Sequence, residues 1–265
     1  MTARVAVPVF PGTNSEDETV RALCAAGLDA RSVHWSGGAA ALRPFDAFVL
    51  PGGFAYEDRV RAGAVAAHDE LTDAVVTAAQ AGKFVLGICN GAQILLEAGL
   101  VPGTGPIRRP TAAFVPNAGG GRFLCKHVYV RFAVDPARVP LLGGLARGTV
   151  IPMWAAHGDG RLAAAPDELA RLAAGEFVAF VYCDAAGAPV AAPQGSALNC
   201  AGLTNPAGNV VALMPHPERD ARTFMHRDGP VKLRARGDRA AMLAPSGGSA
   251  VFTAFARALD AAGVR

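Results

Sequence analysis

The first hundred residues alternate short, nearly uninterrupted apolar runs with longer stretches whose apolar positions recur at helical spacing. Val5-Ala6-Val7-Pro8-Val9-Phe10 holds no charged residue and reads as a buried strand, because a strand covered on both faces has no polar side to present. Ser15 followed by Glu18 has the spacing of a capping box and predicts a helix that runs to Gly27, with Val20, Leu23 and Cys24 as its apolar stripe. Residues 30–35 form a second expected strand, and Ala47-Phe48-Val49-Leu50 a third that Pro51-Gly52-Gly53 stops. Residues 69–81 repeat apolar positions three and four apart and close at Gly82, as an amphipathic helix does. A fourth strand over 84–87 and a helix over 91–98, stopped by Gly99, complete this half. Strands and helices alternating in this way build a parallel sheet covered by helices on both faces.

Beyond residue 105 the rhythm changes. Residues 125–134 and 177–183 read as longer strands, and Asn205-Pro206-Ala207-Gly208-Asn209 as a turn between two more, which adds antiparallel strands to the sheet in the C-terminal half. A last helix is expected over 249–262. No internal repeat, linker or change of composition divides the chain, so the expectation is an α/β fold in a single domain over 1–265.

Composition narrows the function classes. With 51% hydrophobic residues in 265, the chain has material for a large core without disulfides or metals. The 25 Lys and Arg against 22 Asp and Glu leave a formal charge of +3, too balanced for a nucleic-acid binder. Charge is concentrated in one place: residues 219–239 contain seven Lys or Arg and three Asp, a surplus that suits a phosphate or protein partner or a solvated loop. The cysteines, Cys24, Cys89, Cys125, Cys183 and Cys200, are odd in number and contain no C-x-x-C pair, which argues against a disulfide framework or a zinc site and for a reducing compartment. The apolar run at the N-terminus is too short for a secretory signal, and no later run reaches the ~18 apolar residues of a membrane span. A cytoplasmic protein with no membrane partner is the expectation.

The most informative string is Gly87-Ile88-Cys89-Asn90-Gly91, a G-x-C-x-G between an expected strand and an expected helix. A side chain on so tight a turn projects from the sheet, and glycines two positions either side leave room for the neighbouring chain. A thiol at a helix N-terminus is favoured as thiolate, the nucleophilic form. Such a nucleophile needs a base, and the base needs a group that orients it. Met214-Pro215-His216-Pro217-Glu218 follows the apolar run Val210-Val211-Ala212-Leu213, and in extended chain His216 and Glu218 point to the same side. The same H-x-E opens the zinc deaminase signature, but no cysteine follows Cys200 to complete it. Pro51-Gly52-Gly53-Phe54 leaves the neighbouring strand and is the expected source of backbone N–H groups for an oxyanion. His34, His68, His127 and His226 stand in no motif and read as structural or exposed. Neither a G-x-x-x-x-G-K-[ST] nor a G-x-G-x-x-G is present to hold ATP or a dinucleotide.

Taken together these strings resemble the class I, triad-type glutamine amidotransferases, and within them the glutaminase subunits of phosphoribosylformylglycinamidine (FGAM) synthase. The further marks are Phe10-Pro11-Gly12-Thr13-Asn14, Asp58 with Arg61-Ala62-Gly63, Gln93, Ala156-His157-Gly158-Asp159-Gly160-Arg161 and Arg219. The resemblance implies that Cys89 attacks the carboxamide of glutamine, His216 moves protons, Glu218 orients His216, and the amides of Gly53 and Asn90 form the oxyanion hole. It places Gln93 and Phe54 at the glutamine. It also implies no cofactor in this chain, ATP and Mg in a larger synthetase subunit, and a small accessory subunit in the complex. The sequence departs from the family pattern at Glu57, at Pro116-Asn117-Ala118-Gly119 and at Ala192-Pro193-Gln194, and residues 220–248 look like an insertion. Two other readings stay open: a glutaminase subunit serving a different acceptor, and a DJ-1-like stress or binding protein, which carries a cysteine elbow on a similar sheet without the late His-x-Glu.

Overall fold

The computed structural model describes residues 2–229 and 239–264; residues 230–238, most of the second half of the basic stretch and of the expected insertion, lie outside the described residues. The chain runs β1 (Arg4–Val9), α1 (Glu16–Ala25), β2 (Asp29–His34), β3 (Ala47–Leu50), α2 (Glu70–Gln80), β4 (Val85–Ile88), α3 (Asn90–Glu97), β5 (Ala112–Val115), β6 (Leu124–Phe132), β7 (Val150–His157), β8 (Arg161–Ala164), α4 (Pro166–Ala174), β9 (Phe180–Cys183), β10 (Cys200–Thr204), β11 (Val210–Leu213), α5 (Arg239–Leu243) and α6 (Ser249–Ala261).

Nine strands form one sheet in the order β2-β1-β3-β4-β11-β10-β9-β6-β7, while β5 and β8 pair as a separate antiparallel ribbon. The first five strands of that order are parallel, with β4 between β3 and β11. From β10 outward every pairing is antiparallel. The expected architecture is the one found. β3, β4 and β11 are buried along their whole length, which is why they read as uninterrupted apolar runs.

Several local expectations are corrected. Ser15 occupies the N-cap position of α1, but its side chain makes no cap bond: Oγ donates to Asn14 Oδ1 and accepts from Arg219, and a hydroxyl spent on those partners is withdrawn from the helix. The buried face of α1 is Thr19, Ala22 and Leu23, and Cys24 is exposed. The strand expected over 177–183 begins only at Phe180, because Phe177 still bonds back to Leu172 at the end of α4. β7 breaks its apolar character with Pro152 and alternates buried and half-buried positions, and it was not foreseen.

Candidate functional site

Topology brings the three chemical residues together. β4 and β11 are parallel neighbours in the register Leu213↔Ile88, so the chain leaves both strands at the same end of the sheet. The Cys89 amide bonds to the Leu213 carbonyl at 2.8 Å, which ties the elbow to the segment carrying His216. In open α/β sheets this carboxyl end of the strands is where ligands sit.

Cys89 lies between β4 and α3 at φ 51° and ψ −107°, a left-handed conformation that a side-chain-bearing residue adopts at a cost of about 1–3 kcal/mol and keeps only where its surroundings enforce it. The two glycines of the motif explain how. A Cβ on Gly91 would stand 2.1 Å from the Leu50 carbonyl oxygen, and one on Gly87 would stand 2.7 Å from the Gly91 backbone. The turn therefore packs backbone against backbone, and Gly91 donates to the Pro51 carbonyl at 3.1 Å. Strand β3 is locked beside the elbow, and the Gly52-Gly53 loop opens from its end.

His216 Nδ1 makes a short hydrogen bond with Glu218, and both side chains are fully buried. The histidine is aligned by β7, since its backbone pairs with Trp154 in both directions, at 2.8 and 3.3 Å. Burial by itself lowers the imidazole pKa, but the negative charges of Glu218 and Cys89 reverse this and raise it to about 10. His216 thus holds a proton through the neutral range on the wall of the cavity that Cys89 also lines. Gly52 is where the ring and the loop meet, since a Cβ there would fall 2.6 Å from His216 Cε1.

These groups border a cavity of about 390 Å³ lined by Gly53, Phe54, Cys89, Gln93 and His216 from the expected set, and by Asp58, His157, Asp159 and Arg219 among others. Phe54 is half exposed at its rim. Glu218 sits behind His216 rather than on the cavity wall, as an orienting group should. The Asn90 side chain is buried beneath the loop: Oδ1 accepts from the Ala55 amide at 2.9 Å, and Nδ2 donates to Asp58 and Gln93. Gln93 in turn donates to the Asp159 carbonyl at 2.6 Å. One network therefore joins the elbow helix, the loop after β3 and the turn after β7.

Sequence reasoning noted Asp58 and Asp159 without assigning them a role. Burial, reinforced by the charge of Asp159, raises the Asp58 carboxyl to about 6 against the pull of its bonds from Asn90 and the Gly63 amide, and burial raises Asp159 as well. Neither has a Lys or Arg ion pair among the described residues, which leaves two carboxylates facing a cavity with Arg219 also on its wall. His157 is buried and lowered to about 4 by burial and the charge of His216, so it is a neutral group. The two segments that depart from the family pattern have structural work: in the first Asn117 holds the turn after β7 through bonds to His157 and Gly160, and in the second Gln194 donates to the Gly160 carbonyl and Tyr182. Glu57 belongs to a run, Tyr56, Glu57 and Asp58, that is left-handed throughout.

A model of the CobB/CobQ-like glutamine amidotransferase domain matches residues 2–242. Phosphoribosylformylglycinamidine synthase subunit PurQ of Symbiobacterium thermophilum is 46% identical over 219 residues, spanning 82% of this chain and 87% of that protein. The subunit of the same name from Thermomicrobium roseum is 41% identical over 88% of this chain and 94% of its own length. In three dimensions the structure of PurLQS from Thermotoga maritima aligns with a TM-score of 0.72 at 30% identity, over 98% of this chain and 100% of the matched chain.

Proposed function

The chain belongs to the CobB/CobQ-like glutamine amidotransferase family, and we propose that within it the protein is the glutaminase subunit of an FGAM synthase. It hydrolyses glutamine to glutamate and ammonia, and the ammonia serves an ATP-dependent synthetase subunit that converts formylglycinamide ribonucleotide to formylglycinamidine ribonucleotide in purine synthesis. The observation that carries this reading is the strained Cys89 elbow placed against the buried His216–Glu218 pair in a chain whose relatives bear that subunit's name.

The reaction runs as acyl transfer. Glutamine enters with its carboxamide at Cys89, and the thiolate attacks the carbonyl carbon while the amides of Gly53 and Asn90 take the charge that grows on the oxygen. His216 gives its proton to the departing nitrogen, releasing ammonia and leaving a glutamyl thioester on Cys89. The imidazole, now neutral, accepts a proton from water as the water attacks the thioester, and glutamate departs. Glu218 keeps Nδ1 protonated and stabilises the imidazolium at each stage. Gln93 and Phe54 border the substrate, and the unpaired Asp58 and Asp159 face its ammonium group while Arg219 faces its carboxylate. This chain needs no cofactor of its own. ATP and Mg belong to the larger synthetase subunit, a small accessory subunit completes the assembly, and the complex works in the cytoplasm.

The test is glutamate release by the purified chain, alone and with a candidate synthetase, its accessory subunit, ATP, Mg and formylglycinamide ribonucleotide. Release that rises strongly in the full mixture supports both chemistry and pathway. Release that the mixture leaves unchanged points to another acceptor, and no release in either condition overturns the glutaminase.

A further inference from the structure

Behind the catalytic pair, three metal-binding side chains from three segments converge where no step of glutamine hydrolysis uses them. His127 of β6, Asp220 of the short helical turn Glu218–Asp220 and His226 beyond the next turn offer ligand atoms that all lie within 4.8 Å of one another. His127 is 2% and Asp220 0% exposed, and His226 is half-buried. Asp220 Oδ2 is 2.9 Å from His127 Nε2, and Oδ1 accepts from Ser246 at 2.7 Å. No Lys or Arg pairs with Asp220 among the described residues, so a fully buried carboxylate has only imidazole to balance it. His127 Nδ1 is likewise buried with no partner among the described residues. The rings of Tyr129 and Trp154 pack edge-on against His127, both with centroids 5.2 Å away, and close the site on the sheet side.

We infer that His127, Asp220 and His226 form a binding site for a borderline divalent transition metal such as zinc, with a fourth position left for water. Two imidazoles and one carboxylate are the donor set of such ions and not of magnesium or calcium, which take oxygen ligands. With bonds of about 2.0–2.1 Å, tetrahedral geometry sets donor atoms ~3.4 Å apart, so His226 closes by at most about 1.4 Å and the His127–Asp220 pair opens by about 0.5 Å. His226 is the ligand that adjusts, since it is the least buried of the three. The segment is already anchored beside the site, since the Trp154 indole donates to the Met225 carbonyl at 3.0 Å. The metal replaces the proton now shared by His127 and Asp220, and supplies the buried carboxylate with a full counter-charge.

The experiment is equilibrium dialysis of the full chain against Zn²⁺, carried out in the Cys89→Ala variant so that the thiol beside His216 takes no part. About one zinc per chain is expected at micromolar concentration, with a rise in melting temperature. Co²⁺ should give visible bands of a tetrahedral ion without the near-ultraviolet charge-transfer band of a thiolate ligand, which separates this site from the exposed Cys24 and Cys125. His226→Gln, at the half-buried ligand, and Asp220→Asn, which keeps a hydrogen-bonding side chain, should each weaken binding 30-fold or more. Absence of bound metal in the Cys89→Ala chain, or binding that survives His226→Gln unchanged, overturns the assignment.

Discussion

Two buried histidine–carboxylate pairs lie on either side of one three-residue turn, and they differ in what their free nitrogens face. Glu218 holds His216 and Asp220 holds His127, from the same turn and with all four side chains nearly sealed from water. Neither remaining nitrogen has a hydrogen-bond partner among the described residues, but His216 borders the cavity that contains Cys89, whereas the His127 ring is boxed in by Tyr129, Trp154 and His226. A histidine hydrogen-bonded to a carboxylate is therefore a positioning device in either place. In the function proposed above it serves catalysis where parallel neighbours β4 and β11 deliver a strained thiol to its open side.

The sharpest way to break that contrast is to remove the third group. Cys89→Ala should lower glutamate release by on the order of 10⁴-fold or more while leaving the His216–Glu218 pair in place, and a steady-state assay with glutamine as the only amide donor reads it. Glu218→Gln keeps the size and a hydrogen bond but loses the charge that raises His216, and should cost on the order of 10²-fold or more. Its second readout is the pH profile: the His216 pKa, now about 10, should fall, so the alkaline limb of kcat/KM moves to lower pH. A Glu218→Gln enzyme with wild-type rate and profile would remove Glu218 from the reaction.

On the other side of the turn the effect belongs to stability. Asp220→Ala strips His127 and Ser246 of their shared acceptor and leaves an imidazole buried without one, a loss of about 1–3 kcal/mol. Denaturant titration in the presence of a chelator should show the lower midpoint with an unchanged slope. A midpoint equal to wild type would mean that water or a neighbouring group takes over the role.

How much of this was readable beforehand divides along the same sheet. In the parallel half β1, β3 and β4 are buried almost throughout and α1 and α2 on one face, so the apolar pattern announced them, and Gly87, Gly91 and the Pro51-Gly52-Gly53 stop marked the elbow and its loop. His216 and Glu218 were legible because they stand two apart, each after a proline, in a segment that reads as extended after an apolar strand. β7 was not, because its residues are apolar on both faces, with no polar alternation to read, and Pro152 argues against a strand interior. The Ser15 cap misled for the reason that sequence spacing does not tell which partner a hydroxyl finds when Arg219, 204 residues away, folds against it. The same limit hid the meeting of Asn90 with Asp58, which follow the neighbouring strands β4 and β3, and of His127 with Asp220, whose segment reaches β6 because His216 pairs with Trp154 of the adjacent β7.

The smallest expected effect is the most discriminating about the cavity. Asp58 is held near a pKa of about 6 chiefly because it is half-buried, with Asp159 adding to the shift, and an ammonium group binds the charged form. Asp58→Asn should raise KM for glutamine about tenfold, roughly the worth of one partly screened charge contact, with a smaller change in kcat. In the wild type kcat/KM should fall as pH drops through about 6, and in the variant that acid limb should flatten. Stability should move the opposite way. A carboxyl whose folded pKa lies above its unfolded value binds its proton more tightly when folded, so its contribution rises as pH falls from about 6 toward 4. His157, lowered to about 4, contributes with the other sign over the same interval, because unfolding lets it take up a proton. The difference in melting temperature between wild type and Asp58→Asn across that range isolates the carboxyl from the histidine. Unaltered acid limbs in both variant and wild type would show that the substrate's ammonium group is held elsewhere.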